Sequence, residues 1–186
     1  MPRLSKPRVQ PRPEEEWDQE TRELLAKSDS RGMLFNIQRT LAHHPKLVKR
    51  WLVFANHVLF KSSLPPRDRE MVILRIGWLC QCDYEWSQHV EIARNDTDLN
   101  DTEIARIKAG PDAEGWTAHE EAILRATDEL HRDAIIGDAT WAELKKTYAD
   151  DQLMDLVFAV GNYNLVSMAL NTLGVELDPF LKGFDH

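Results

Sequence analysis

The sequence predicts an all-α fold of about eight or nine helices joined by short connections. Apolar residues recur at intervals of three and four along most of the chain. Two segments open with a capping box, formed by Asn100 with Glu103 and by Thr117 with Glu120. The sequence contains no hairpin turn signal and no alternating run long enough to predict a strand. These observations together favour helices throughout.

The length and the N-terminal composition predict the domain organisation. A chain of 186 residues fits one domain with an arm. Residues 1–13 are basic, hold four of the nine prolines and have little that is apolar. We therefore predict an extended N-terminal arm over residues 1–13, either loose or laid across a partner subunit. Residues 14–186 are predicted to form a single helical domain.

The charge and the cysteine content limit the partners and the location. The formal net charge of −8 disfavours nucleic-acid binding and docking on anionic membranes. No continuous apolar run reaches the roughly 18 residues that span a bilayer. Two cysteines separated by one residue do not make a disulfide framework. We therefore expect a cytoplasmic protein that binds a small-molecule substrate, with neither nucleic acid nor membrane as a partner.

Three helices are predicted in the first third of the chain. The first begins near Glu14, and Asn36 is expected to cap a short second helix. Pro45 suits the first turn of the third helix, directly after two histidines. The residues that share one face of the first helix are Trp17, Thr21, Leu24 and Leu25, with Lys27 near its end. Those on one side of the third are Leu47, Trp51, Phe54, Val58 and Leu59.

The remaining helices follow from prolines, glycines and apolar spacing. Pro66 opens a helix that is apolar on nearly every side and is therefore expected to be buried. Further helices are predicted over residues 83–96 and 100–109, and after the Thr117 cap as far as Leu130. Gly137 and Asp138 interrupt the pattern, and Trp141, Leu144 and Tyr148 mark another short helix. The last and most apolar segment runs from Leu153 to Leu173 and is ended by Gly174. Residues 70–93 and 153–174 are both long and interrupted near the middle, which indicates a possible duplicated helical unit.

The residues best suited to chemistry lie between Glu70 and His89. Glu85 and His89 are four apart, so both side chains leave the same face of a helix. Glu70, at the start of the preceding helix, could complete the group if the two helices pack antiparallel. Such a cluster suits general acid–base catalysis. The alternative interpretation of Glu85 and His89 is an exposed ion pair on a solvated helix face.

The two cysteines and the histidines leave further alternatives open. A thiol at Cys80 or Cys82, near a helix N-terminus and a histidine, could be a reactive thiolate, or it could be a small core residue. Metal-ligand types are present, but neither a Glu-x-x-His nor a His-Glu-x-x-His pattern is found. No glycine-rich phosphate loop and no Gly-x-Ser-x-Gly motif occur. We therefore predict neither a metal nor a cofactor.

Several stretches resemble the carboxymuconolactone decarboxylase family of the alkyl hydroperoxidase D-like superfamily. They are Arg69-Glu70, Ile73-Leu74-Arg75, Tyr84-Glu85-Trp86 with His89, the helix from Leu99 to Ile107, residues 40–45, residues 161–164 and residues 173–175. The resemblance implies an all-α fold and a homo-oligomer, from dimer to hexamer. The thiol-dependent branch of this superfamily carries Glu-x11-Cys-x2-Cys-x3-His. In this chain Glu70, Cys82 and His89 match that pattern, and Glu85 stands at the second cysteine position.

The loss of the Cys-x-x-Cys pair makes the chain similar to the decarboxylase-like branch, which works without a cofactor on small organic acids or lactones. The resemblance implies that acidic and histidine side chains move the protons. Our hypothesis is that His89 donates or accepts a proton, that Glu85 orients it or shares its proton, and that Glu70 is a second acid. Two alternatives stay open: a thiol peroxidase that uses Cys82, and a non-catalytic small-molecule binder. The residues expected to contact substrate are Asn36, His43, Tyr84, Trp86 and Asn164.

Overall fold

A computed structural model describes residues 4–26 and 34–185, and within these two ranges all regular structure is helical. The all-α prediction is therefore confirmed. The helices, after a short 3₁₀ turn at Glu14–Glu16, are α1 (Gln19–Ala26), α2 (Asn36–Leu41), α3 (Pro45–Phe60), α4 (Pro66–Leu79), α5 (Asp83–Asp96), α6 (Asp101–Ala109), α7 (Ala118–Asp133), α8 (Asp138–Leu144) and α9 (Asp150–Leu173).

Helix α4 is the centre of the fold. It packs against α5, α6, α7 and α9, and every residue from Glu70 to Gly77 is buried. This agrees with the sequence, which is apolar around the whole helix. Pro66 lies in the first turn, where its missing N–H costs no hydrogen bond. The side chains that α4 carries are therefore fixed by neighbours on all sides.

The N-terminal residues pack against their own chain. Residues 4–13 form neither helix nor strand, and the amides of Arg8 and Val9 both donate to the carbonyl of Leu173. A contact of this arm with a partner subunit stays a prediction. The first helix begins at Gln19 and not near Glu14, because Trp17 is extended and the Asp18 carboxylate accepts from the amide of Thr21. Lys27, predicted at its end, lies outside the described residues.

Asn36 is the first residue of α2, and the N-cap position belongs to Phe35. The prediction that Asn36 caps this helix is therefore wrong. Its side-chain amide donates to the carbonyl of Glu176, and its backbone amide donates to Asp178 at 2.9 Å. The start of α2 is thus held by the C-terminal segment, through contacts that no local pattern encodes.

The two segments that suggested a duplication differ in structure. Residues 66–96 form two helices joined by a turn in which Gln81 has a φ of 51°, whereas α9 is continuous from Asp150 to Leu173. The predicted duplicated unit is not found in these segments. By length and composition α9 could cross a membrane, with a mean hydropathy of 1.4 over 18 residues. Half of that window is buried inside the protein.

Large apolar side chains are exposed where α3 and α9 lie side by side. The rings of Phe54 and Phe158 pack against each other across the two helices, with 5.9 Å between their centroids. We call this the α3–α9 surface, and its exposed members are Phe54, Met154, Val157, Phe158, Leu165 and Met168. Gly161 lies between them on α9 with open space where a side chain would be. Contiguous apolar patches of this kind mark interaction sites.

Candidate active site

Glu70, His89 and Glu85 form one buried chain of charged groups. His89 Nδ1 lies 2.7 Å from Glu70 Oε2, and His89 Nε2 lies 3.1 Å from Glu85 Oε1. On the far side of Glu70, Arg69 Nε donates to Oε1 at 3.2 Å. Glu70 has no exposed surface, and Glu85 and His89 are each about 5% exposed. The ion pair is therefore not the solvated surface pair that the sequence left open.

The turn between α4 and α5 brings these residues together. Glu70 lies near the start of α4, and Glu85 and His89 lie one turn apart near the start of α5. The amide of Cys82 donates to the carbonyl of Gly77, which closes the turn. A Cβ on Gly77 would stand 3.4 Å from the amide nitrogen of Trp86. The glycine therefore lets the first turn of α5 lie directly against α4.

The two carboxylates hold His89 in its charged form. Burial lowers the pKa of His89, but the charge and hydrogen bond of Glu70, with those of Glu85, raise it to about 9. Below that pH the imidazolium donates a hydrogen from each ring nitrogen, one to each carboxylate. At neutral pH His89 is therefore a proton donor, and the carboxylates are the acceptors.

Glu85 and His89 reach the wall of a cavity of about 200 Å³. Helices α2, α3, α5 and α9 supply most of the wall, and most of its side chains are aliphatic or aromatic. The rings of Tyr163 and His89 pack nearly perpendicular to each other, with 5.0 Å between their centroids. Burial, with the nearby charges of Glu85 and Glu70, raises the pKa of Tyr163, so its hydroxyl is neutral. A second cavity of about 230 Å³ lies beside the first, and the residues common to both walls are Ile37, Leu41, Val48, Trp51 and Val166.

Three hydrogen bonds fix the wall of the first cavity. Tyr84 donates to Asp178 at 2.6 Å, and the amide of Ile37 donates to the Tyr84 hydroxyl. The indole N–H of Trp51 donates to Asn162 at 3.1 Å. These bonds tie α2 and the C-terminal segment to α5, and α3 to α9, so the cavity is built from distant parts of the chain.

Of the five residues expected to contact substrate, Tyr84 lies in the wall of the first cavity. Trp86 is fully buried against Trp78 and Phe184. The other three are committed elsewhere, Asn36 to the C-terminal segment, His43 to the carbonyl of Gln10 and Asn164 to Cys80. The polar wall residues that sequence reasoning missed are Gln38, Asn56, Gln88, Asn162 and Tyr163.

Neither thiol has the position or the charge state that a nucleophile needs. Cys82 has no exposed surface, and burial, with the nearby Glu85 carboxylate, raises its pKa to about 12. Burial likewise raises the pKa of Cys80 to about 11, and its thiol donates to Asn164. Cys80 and Cys82 both lie outside the wall of the first cavity. A thiolate is the reactive form, so both thiols are held in the unreactive one.

Residues 4–26 and 34–185 contain no group of three or more His, Cys, Asp or Glu side chains placed to hold a metal ion. In the Glu70–His89–Glu85 chain, each carboxylate is directed at one imidazole nitrogen, and the two carboxylates do not converge on a shared point. The arrangement is one in which protons, and not a metal ion, link the groups.

The fold has close structural relatives. One is an alkylhydroperoxidase AhpD core protein, an uncharacterised peroxidase-related protein from Ralstonia eutropha JMP134, with a TM-score of 0.79 and 18% identity over 92% of this chain and 93% of that one. A peroxidase-related protein from Silicibacter sp. TM1040 gives 0.72 and 17% over 95% and 91%. The debrominase Bmp8, as a Cys→Ala variant in complex with 2,3,4-tribromopyrrole, gives 0.72 and 13% over 92% and 91%.

At these identities the relatives show the fold, and their activities differ by name. The search of curated proteins gave no match. Residues 45–129, which run from α3 through most of α7 and include Glu70, Glu85 and His89, match the model of the carboxymuconolactone decarboxylase family. Over this segment the chain is similar to the carboxymuconolactone decarboxylase family, and its fold is similar to that of AhpD-like proteins.

Proposed function

We propose that the protein is a cofactor-free enzyme that transfers protons on a small lactone or organic acid, as a lyase or isomerase of the decarboxylase-like kind. The observation that carries this proposal is the buried Glu70–His89–Glu85 chain, two members of which reach a cavity. Buried, mutually charged groups of this type suit general acid–base catalysis.

In the proposed mechanism Glu85 and His89 have different roles. The Glu85 carboxylate accepts a proton from a carbon or oxygen of the substrate, which weakens its ion pair with the imidazolium. His89 Nε2 then donates its proton to the second substrate position. The protonated Glu85 returns its proton to His89 across the 3.1 Å contact. An isomerisation is thereby balanced without an external proton, and Glu70 acts as a positioning residue.

A lyase reaction uses the same groups. When a substrate carboxylate leaves as CO₂, the electron pair of the broken C–C bond stays on carbon, and His89 donates the proton that neutralises it. The enzyme then regains one proton from water. Both reactions need the imidazolium and the cavity, and neither needs a thiol.

The competing thiol peroxidase function is tested by replacing both cysteines. The Cys80→Ser/Cys82→Ser variant is expected to keep proton-transfer activity within about twofold, because neither thiol reaches the cavity. The assays are deuterium uptake into a panel of lactones and keto acids in D₂O, and hydroperoxide consumption with dithiothreitol. Hydroperoxide turnover by the wild type that disappears in the double variant would favour the peroxidase. Ligand-induced stabilisation with no product from any probe would favour a non-catalytic binder.

We also propose that the protein is a cytoplasmic homo-oligomer. Both cysteines are free thiols, as is usual in a reducing compartment. The α3–α9 surface offers exposed apolar side chains to a second copy of the chain, and Gly161 permits close approach of a partner helix. Sedimentation velocity is expected to give a dimer or larger species, and Phe158→Asp is expected to shift it toward the monomer. A wild type that sediments as a monomer at micromolar concentration would contradict this.

A further inference from the structure

We propose that the cavity takes a neutral, largely apolar molecule with a single ring, and that it rejects carboxylates. This proposal rests on the proposed function, because it assigns the substrate class of the same site. It narrows the proposed substrates to neutral lactones and ketones, and it therefore favours the isomerisation over the decarboxylation.

The charges around the cavity carry the first step. Of the described residues in its wall, none is a lysine or arginine, and the charged ones are Glu85 and His89. The positive charge of His89 is already paired on both ring nitrogens, at 2.7 Å and 3.1 Å. Arg69 pairs with Glu70 and does not reach the wall. No positive charge is therefore left to bind an anion.

The cost of burying an anion carries the second step. A carboxylate that enters the cavity leaves water, finds no cation and approaches the Glu85 carboxylate. A charge that is buried in a protein without a partner is much less stable than the same charge in water. The loss is not offset by the wall, whose other polar groups are neutral amides, hydroxyls and an indole. Such groups can hydrogen-bond to a carbonyl or hydroxyl of a neutral ligand.

The size and lining of the cavity carry the third step. A cavity of about 150 Å³ lined by apolar side chains is large enough to bind benzene. At about 200 Å³, the space beside Glu85 and His89 fits one ring with a small substituent. The neighbouring cavity is lined almost wholly by apolar side chains, so the apolar surroundings continue beyond it.

Binding of three probes of nearly equal size separates charge from shape. Acetophenone and benzamide are neutral, benzoate is an anion, and all three have the same number of non-hydrogen atoms. At pH 7.5, titration calorimetry or ligand-observed NMR is expected to show binding of the neutral probes and at least about tenfold weaker binding of benzoate. Ala55→Trp, which fills the wall of the cavity, is expected to abolish binding of all three and so locates the site.

A charge added at the mouth of the cavity is expected to change the preference. Asn56 is exposed on α3 and lies in the wall, away from Glu85 and His89 in the chain. Asn56→Arg is expected to strengthen benzoate binding at least about fivefold and to leave acetophenone within about twofold, because it supplies the missing cation. Asn56→Gln is the matched control and should match the wild type.

Three results would overturn the proposal: benzoate binding as tight as acetophenone, no gain of benzoate affinity in Asn56→Arg, or no binding of either neutral probe at millimolar concentration. These measurements do not depend on turnover. A protein that binds acetophenone, rejects benzoate and catalyses nothing would refute the proposed function and leave the ligand class standing.

Discussion

Glutamine in place of Glu85, or in place of His89, is expected to lower kcat/KM for proton transfer by about 10²- to 10⁴-fold. Glutamine keeps the size and a hydrogen-bonding end of each side chain, but it neither accepts nor donates a proton at neutral pH. Deuterium uptake into the responsive lactone or ketone measures the effect. Because the two residues work in one cycle, the double variant should lose little more than either single variant.

Surface variants of the same type control for general effects on the protein. Glu91 lies on α5 in a partly exposed ion pair with Arg94, and His57 lies in an exposed pair with Asp155. Glu91→Gln and His57→Gln should keep full activity. Glu70→Gln should retain more activity than Glu85→Gln, since Glu70 positions His89 and does not reach the cavity. Full turnover in both Glu85→Gln and His89→Gln would remove the basis of the mechanism.

Arg75→Ala is expected to lower the free energy of unfolding by about 3 kcal/mol or more. The Arg75 side chain is 8% exposed, and Nε and Nη2 donate to the two carboxylate oxygens of Asp128 at 2.6 Å and 2.8 Å. Nη1 donates to the carbonyls of Ile107 and Lys108. Truncation leaves Asp128 and both carbonyls without these donors. Urea unfolding, read as a shift in midpoint at constant slope, measures the loss.

Arg125→Ala is the matched control for this prediction. Arg125 also pairs with two carboxylates, Asp112 and Glu121, but its side chain is 36% exposed. Solvent-exposed ion pairs contribute about 0–1 kcal/mol to stability, so the free energy of unfolding of Arg125→Ala should be close to that of the wild type. Equal losses in Arg75→Ala and Arg125→Ala would mean that the buried network does not hold α4 against α6 and α7.

Local signals in the sequence were sufficient for most of the helices. The capping boxes at Asn100 and Thr117 lie where they were predicted, and Gly174 ends α9 with a φ of 74°. The spacing of Glu85 and His89 places both on one face of α5, as expected. Each of these features depends on residues within one or two turns of the chain, which is the range that sequence periodicity reports.

Contacts between distant residues account for what the sequence did not predict. Asp178, which receives hydrogen bonds from Asn36 and Tyr84, is about 140 residues from the first and about 90 from the second. Trp17 was assigned to a helix by its apolar spacing, but its indole N–H bonds the carbonyl of Arg12 and holds the arm instead. No spacing rule reveals such pairings in a single sequence.

Asn164 was expected to contact substrate, but the neighbouring Tyr163 lies in the cavity wall. The apolar spacing along α9 could have indicated this. The buried face of α9 contains Leu156, Ala159, Tyr163, Val166 and Leu170, at intervals of three and four. Asn164 is one position, or about 100° of helix rotation, away from that face. Helical spacing would therefore have placed Tyr163 toward the core. That it faces His89 needed the packing of α5 against α9.

The charge state of His89 tests the central claim most directly, and it needs no substrate. An NMR pH titration of ring-labelled histidines, with the His89 signal assigned by its absence in His89→Gln, reports the pKa. We expect His89 to be an imidazolium at pH 7 and to lose its proton near pH 9. In Glu85→Gln the pKa of His89 should be lower, because a neutral amide replaces one of the two carboxylates. Titration at or below the ordinary value of about 6.5, unchanged in Glu85→Gln, would contradict the account.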